Sequence, residues 1–262
     1  MNSKQGFVVA IGIALAIALF FLRNLPEQHS ALDQLLQDGK DSLSPTALIH
    51  LNGLEAKLDK GSPDPAVLDS LTDFWRRTGN PAIAALYVQD KAKTTKQLAD
   101  YNECGAAMLE ALSYGRKAKM DQNLQLYFVL SAEGCYQKAL ALDSTNITAR
   151  IGMADAAING RGQIMIGVRT LLDIVHEDSL NVAANVRLGR LSMVNGEYQN
   201  AVRRLKNVLR ADSTYVEAYV LLSNAFSAMD QQDEARHYLE EGLNYATDPD
   251  MRQEIETRLK NM

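Results

Sequence analysis

The 262-residue chain is 47% hydrophobic and 6% aromatic, with 6 Pro and 16 Gly, and its abundant Ala and Leu favour helix over sheet. The net charge is -5; beyond Arg23 the balance is 25 Lys and Arg against 32 Asp and Glu, a net of -7. An acidic body is a poor match to phosphate backbones, so no nucleic acid is expected as a partner.

Residues 7–22, FVVAIGIALAIALFFL, carry no polar side chain, and with Gly6 they make a run of seventeen residues closed by Arg23. That is the lower edge of the ~17–25 residues needed to span a bilayer. A cleaved signal peptide has a core of ~7–15 residues and a small-x-small cleavage site. The stretch FFLRNLPEQHS offers no such site, and no Cys follows it. The reading is an uncleaved, single-pass anchor at 1–23, meeting the membrane through residues 6–22. Positive charge on both flanks leaves the orientation bias weak. Lys4 and the terminal amine, against Arg23 followed by Glu27 and Asp33, tilt the N-terminus inside. The body then lies in the periplasm of a bacterial inner (cytoplasmic) membrane. Residues 24–43 read as a tether with one short helix at 30–38, and 44–64 as a leading helix.

Further on, the chain reads DSTNITA at 143–149, DSLNVAA at 178–184 and DSTYVEA at 212–218. The spacings, 35 and 34 residues, set a repeat. In NVAANVRLGRLSMV the apolar Val182, Val186, Leu188, Leu191 and Val194 keep helical spacing. NGEY breaks that helix with a Gly where a C-cap is wanted. YQNAVRRLKNVL restarts it with Val202, Leu205, Val208 and Leu209 on one face. Small Gly189 and Ala201 let two helices approach closely, and the Asp-Ser pairs supply cap and turn oxygens. Upstream, Cys104–Gly105 take the Leu188–Gly189 slot, and SYGRKAKMDQ (113–122) reads as a long link.

The segment LGRLSMVNGEYQNAVRRLKNVLRAD (188–212) resembles the tetratricopeptide repeat, a 34-residue helix–turn–helix unit with small residues at positions 8, 20 and 27. The family usually has Pro where this chain has Ser144, Ser179 and Ser213. The resemblance implies an all-α helix–turn–helix solenoid after the anchor. About five repeats fill 65–249, at 65–97, 98–146, 147–181, 182–215 and 216–249. A polar-faced capping helix follows at 250–262.

The resemblance also implies a peptide groove lined by positions 2, 5, 9, 12 and 13 of each unit. Its candidates are Ile151, Asp155, Ile158, Val186, Arg190, Met193, Val220 and Asn224, with Arg187 beside Arg190. Family members that hold Hsp70 or Hsp90 tails use a Lys/Asn/Arg clamp; this chain has Ile151, Asp155 and Val186 instead, which disfavours that role.

His29, His50, His176 and His237 lie in separate segments without metal-ligand spacing. No phosphate loop, HExxH or GxSxG occurs. The expectation is therefore no enzyme, no metal, no cofactor and no small-molecule substrate. Two cysteines make no disulfide framework. Cys104 and Cys135 fall on the two helices of one repeat, and two readings stay open: a disulfide in an oxidising periplasm, or two buried small hydrophobes. The expected function is a membrane-anchored scaffold or assembly factor for protein partners, with a stoichiometric structural subunit of a membrane complex as the alternative.

Overall fold

The structure is a computed structural model that describes residues 31–58, 61 and 63–262. The expected anchor at 6–22 lies outside the described residues. Among those described, no helix is long and apolar enough to cross a membrane. The secondary structure is all helical: α1 (31–41), α2 (Pro45–Glu55), α3 (Pro65–Arg77), α4 (Pro81–Thr95), α5 (Leu98–Lys117), α6 (Gln122–Leu142) and α7 (Ile147–Asp155). Then follow α8 (Ile164–Glu177), α9 (Val182–Val194), α10 (Tyr198–Ala211), α11 (Val216–Ser227), α12 (Gln232–Tyr245) and α13 (Pro249–Lys260). The chain divides into two compact units, one ending at Ala156 and one running Ala157–Met262.

The first unit begins with a correction. The expected tether holds α1, whose Ala31, Leu32, Leu35, Leu36 and Gly39 recur at helical spacing toward the core. Leu35 is buried, Gly39 lies against Ile83 and the Trp75 ring, and Lys40 pairs with Glu55 of α2 at 2.9 Å. Residues 31–41 are thus part of the packed body. Helix α2 starts at Ser44, whose hydroxyl accepts from the Ala47 N–H, followed by Pro45. Trp75, at 0% exposure, is the largest side chain of this core and meets Phe74 edge-on at 5.3 Å.

Lys91 of α4 gathers three carboxylates: Asp69 at 2.7 Å, Asp100 at 3.5 Å and Glu103 at 3.6 Å. This node ties α3, α4 and α5 together. The hydrogen bond to Asp69 is the first cause that holds the Lys91 ammonium above its ordinary pKa.

The long link expected at 113–122 is also corrected. Helix α5 continues to Lys117 and α6 begins at Gln122, leaving four residues between them. The turn is tight because the Met120 N–H donates to Gly115 O at 2.8 Å, the Lys119 N–H donates to Arg116 O, and Lys119 takes φ 54°. Helices α5 and α6 pack along their length. Cys104 and Cys135 form a disulfide between them, with Cα atoms 5.9 Å apart.

The Tyr136 ring of α6 lies between two glycines. A Cβ at Gly105 of α5, or at Gly152 of α7, would collide with the ring carbons. The ring therefore fixes the spacing of three helices at once.

The turns before α7, α9 and α11 share one device. The carboxylates of Asp143, Asp178 and Asp212 accept from the N–H two residues on, at 2.9, 3.1 and 2.9 Å. The cap oxygens come from Asn146 and Asn181, not from the Ser that follows each Asp: Asn146 accepts from Ala149 N–H and Asn181 from Ala184 N–H. Helix α11 starts at Tyr215 with no side-chain cap. Hydrogen bonds from the Thr145 and Thr214 hydroxyls, then from their N–H groups, hold the Asp143 and Asp212 carboxyls below the ordinary range.

In the second unit the consecutive helices from α8 to α13 pack one on the next. Val202, Leu205, Val208, Ala218, Leu222 and Ala235 form the core, with Val220, Leu239, Ala246 and Ile255 closing it under α13. Gly189 receives Leu205, and Gly242 receives Tyr219.

Four outcomes are expected. Gly105→Val destabilises by about 1–3 kcal/mol, because Tyr136 cannot shift without leaving Gly152. Gly134→Ala in α6, where a Cβ meets nothing within 4 Å, instead stabilises by roughly 0.5–1 kcal/mol; thermal melts of the two variants separate the effects. Reduction of Cys104–Cys135 costs about 3.7 kcal/mol for a 31-residue separation, read as a lower melting temperature in reductant. For Asp143 and Asp212, folded pKa values lie below unfolded ones. Their stabilisation is full above the ordinary carboxylate pKa of about 4 and is lost as pH falls through the depressed folded values. The double Asp→Ala variant therefore shows a shallower loss of melting temperature on acidification.

Candidate functional site

The residues expected in the groove separate by burial. Ile151 is buried in the first unit, and Val186 and Val220 are buried in the second. Val186 and Val220 are covered by the helices that follow them in the second unit, so all three candidates are side chains of the buried core. Asp155 is half-buried at the end of α7. Ile158 is half-buried within a π-helical turn, Ala156–Gly160. A π turn takes in an extra residue, so the 3.6-residue phase that placed Ile158 does not hold there.

The other candidates lie on α9 and α11, neighbouring first helices of the second unit. Arg190 is exposed and donates to Glu217 of α11 through Nε at 2.9 Å and through Nη2. The Tyr215 hydroxyl donates to the other Glu217 oxygen at 3.3 Å. Burial first, and then the Glu217 charge, raise the Tyr215 pKa, while Arg190 and Arg187 act in the opposite direction. Arg187 is half-buried and donates to Ala183 O at 3.1 Å. Met193 is half-buried against the core, and Val194 is 85% exposed. Asn224 accepts from Arg258 of α13 at 2.8 Å. Arg258 also borders an open depression with Asp250, Gln253, Glu254 and Thr257.

The site is therefore a polar row, Arg190–Glu217–Tyr215 and Asn224–Arg258, beside a partly exposed Met193. Its charged groups are paired within the chain and exposed enough to exchange partners. A carboxylate can replace Glu217 on Arg190, and a backbone amide can replace Arg258 on Asn224. Glu217 and Arg258 are absent from the sequence-derived candidates. Glu217 occupies position 2 of its repeat, one of the groove positions, so the same register contained the signal. No periodic signal marks Arg258.

Among the described residues no group of three His, Cys, Asp or Glu side chains is placed to hold a metal. His50 meets Phe74 edge-on at 5.6 Å, and His237 lies 3.6 Å from Glu241 on the same helix.

Residues 192–253 match the tetratricopeptide repeat family model. No curated protein matches the sequence. Among solved structures, a thermophilic TPR protein from Thermus thermophilus, TTC0263, is similar over 75% of this chain and 100% of its own, at 16% identity and TM-score 0.56. MamA from Desulfovibrio magneticus aligns over 69% of this chain and 94% of its own at 14% identity. A tetratricopeptide repeat protein from Parabacteroides merdae aligns over 88% and 98% at 16% identity. Their TM-scores are 0.47 and 0.43. The fold is an all-α helical repeat like that of TPR proteins.

A double-mutant cycle on Arg190→Ala and Glu217→Ala is expected to give a coupling of about 1 kcal/mol or less in thermal unfolding, because both side chains are partly exposed.

Proposed function

We propose that this chain is a non-enzymatic, membrane-anchored scaffold or assembly factor that holds a segment of a protein partner against the first helices of its repeats. The observation that carries this reading is the polar row on α9 and α11. Arg190, Glu217, Tyr215 and Asn224 are held on a packed scaffold, and their exchangeable hydrogen bonds serve recognition more than stability. Helix-pair arrays present such faces without chemistry of their own. The apolar run at 7–22 supports anchoring in an inner membrane with the N-terminus inside. The Cys104–Cys135 bond supports an oxidising compartment such as the periplasm for the repeats.

A second reading, a permanent subunit of a membrane complex, is favoured by one observation. Ile164, Met165 and Ile166 open α8 at 49, 77 and 58% exposure, the kind of surface that a stable partner covers.

Photo-crosslinking tests the first reading. A benzophenone amino acid at Met193 in the full chain is expected to capture a discrete partner in cells, while one at the exposed Glu110 of α5 does not. Arg190→Glu is expected to abolish the Met193 cross-link without changing helicity. An undiminished cross-link in Arg190→Glu removes the polar row from binding. A single cross-link from Met165, surviving detergent purification in fixed stoichiometry, favours the subunit reading.

A further inference from the structure

Helix α10 carries Arg203, Arg204, Lys206 and Arg210, and no carboxylate lies between Tyr198 and Ala211. The chain as a whole has 32 acidic against 27 basic residues, so this helix has the opposite sign to its surroundings. Arg203, Lys206 and Arg210 recur at i, i+3 and i+7 and share the face opposite the buried Ala201, Leu205 and Val208. All three are exposed.

Among the described residues none of the three has an ion-pair partner. Arg203 donates to Asn200 at 3.2 Å and Arg210 to Asn207 at 3.5 Å. The Lys206 ammonium stands over the Phe226 and Tyr238 rings, 5.8 and 6.0 Å from their centroids. Beside them Arg204 is half-buried, and burial and then the neighbouring Arg203 hold its pKa below the ordinary value. Like charges three and four residues apart repel along a helix. The ring contacts of Lys206 do not neutralise this charge, whereas an anionic ligand would.

We propose that the Arg203–Lys206–Arg210 face of α10 is a docking stripe for an acidic helical segment of a partner protein, with carboxylates at the same i, i+3, i+7 spacing. The stripe is about 10 Å long at 1.5 Å per residue and one helix wide. Lys206 reaches the Tyr238 ring of α12, and the exposed Glu234 and Glu241 lie one turn to either side of Tyr238. A flat anionic membrane would meet those carboxylates together with the stripe. A rod lying along α10 meets the cations alone. The stripe also presents no apolar side chain to enter a headgroup layer. It stands on a second helix, apart from the α9 and α11 polar row, so the two surfaces can be tested separately.

The test uses the full chain in detergent micelles and a fluorescent Ala-based helical peptide with Glu at i, i+3 and i+7, followed by anisotropy at low and raised ionic strength. The peptide is expected to bind at low ionic strength and to be released by salt. Its Gln counterpart should not bind. In Arg203→Gln/Lys206→Gln/Arg210→Gln, affinity should fall about tenfold, as expected for loss of three exposed charge pairs. Circular dichroism checks that the variant is folded, and single Arg203→Gln and Arg210→Gln variants should each lose part of the binding. Equal binding of the Gln peptide, or unchanged affinity in the triple variant, overturns the proposal. Displacement of the peptide by phosphatidylglycerol vesicles, where phosphatidylcholine vesicles do not displace it, assigns the stripe to a membrane and also overturns it.

Discussion

Close approach of helices through small residues is the constraint on which the rest of this structure depends. Tyr136 occupies the space that Gly105 and Gly152 leave open, so one ring sets the distances among α5, α6 and α7. Leu205 against Gly189 and Tyr219 against Gly242 do the same work in the second unit. Each contact brings a large side chain close against the glycine backbone, burying apolar surface with little void. Once that spacing is set, one stripe of each helix goes inside and the rest faces outward. The faces available for recognition are a consequence of where glycine was placed.

That dependence explains what the sequence made legible. The Asp residues at 143, 178 and 212 mark turns because their carboxylates hold the backbone locally, and a local interaction leaves a local signature. The small-residue slots and helical apolar spacing were readable for the same reason. The end of α5 was not, because SYGRKAKMDQ is polar and a polar stretch can continue a helix as readily as leave one. Residues 31–41 read as a tether because Pro26, Gly39 and many polar side chains outweighed a short apolar stripe. Yet Gly39 is there to admit Trp75 and Ile83, a partner that lies far along the chain. The site was legible only in register. Arg190 and Asn224 were placed by repeat position, but their partners Glu217 and Arg258 depend on which helices become neighbours. Burial of Val186 and Val220 likewise follows from packing between helices, which periodicity along one helix does not report.

The charges divide by the same logic. Lys91 is enclosed by Asp69, Asp100 and Glu103 and joins three helices as part of the structure. Arg190 and Arg258 have carboxylate or amide partners at the surface, where exchange costs little. Arg203, Lys206 and Arg210 have no carboxylate partner among the described residues. This gradation, from enclosed to exchangeable to unpaired, fits the proposed scaffold role, in which a packed interior holds recognising groups in place without consuming them.

The proposed function has an anchored scaffold standing on the outer side of an inner membrane. Protease treatment of cells carrying the full native chain, followed through its C-terminus, tests it most directly. Digestion as soon as the outer barrier is opened, with the inner membrane intact, is the predicted result. Protection until the inner membrane is lysed would contradict it, placing the repeats in the cytoplasm and depriving the Cys104–Cys135 bond of an oxidising environment.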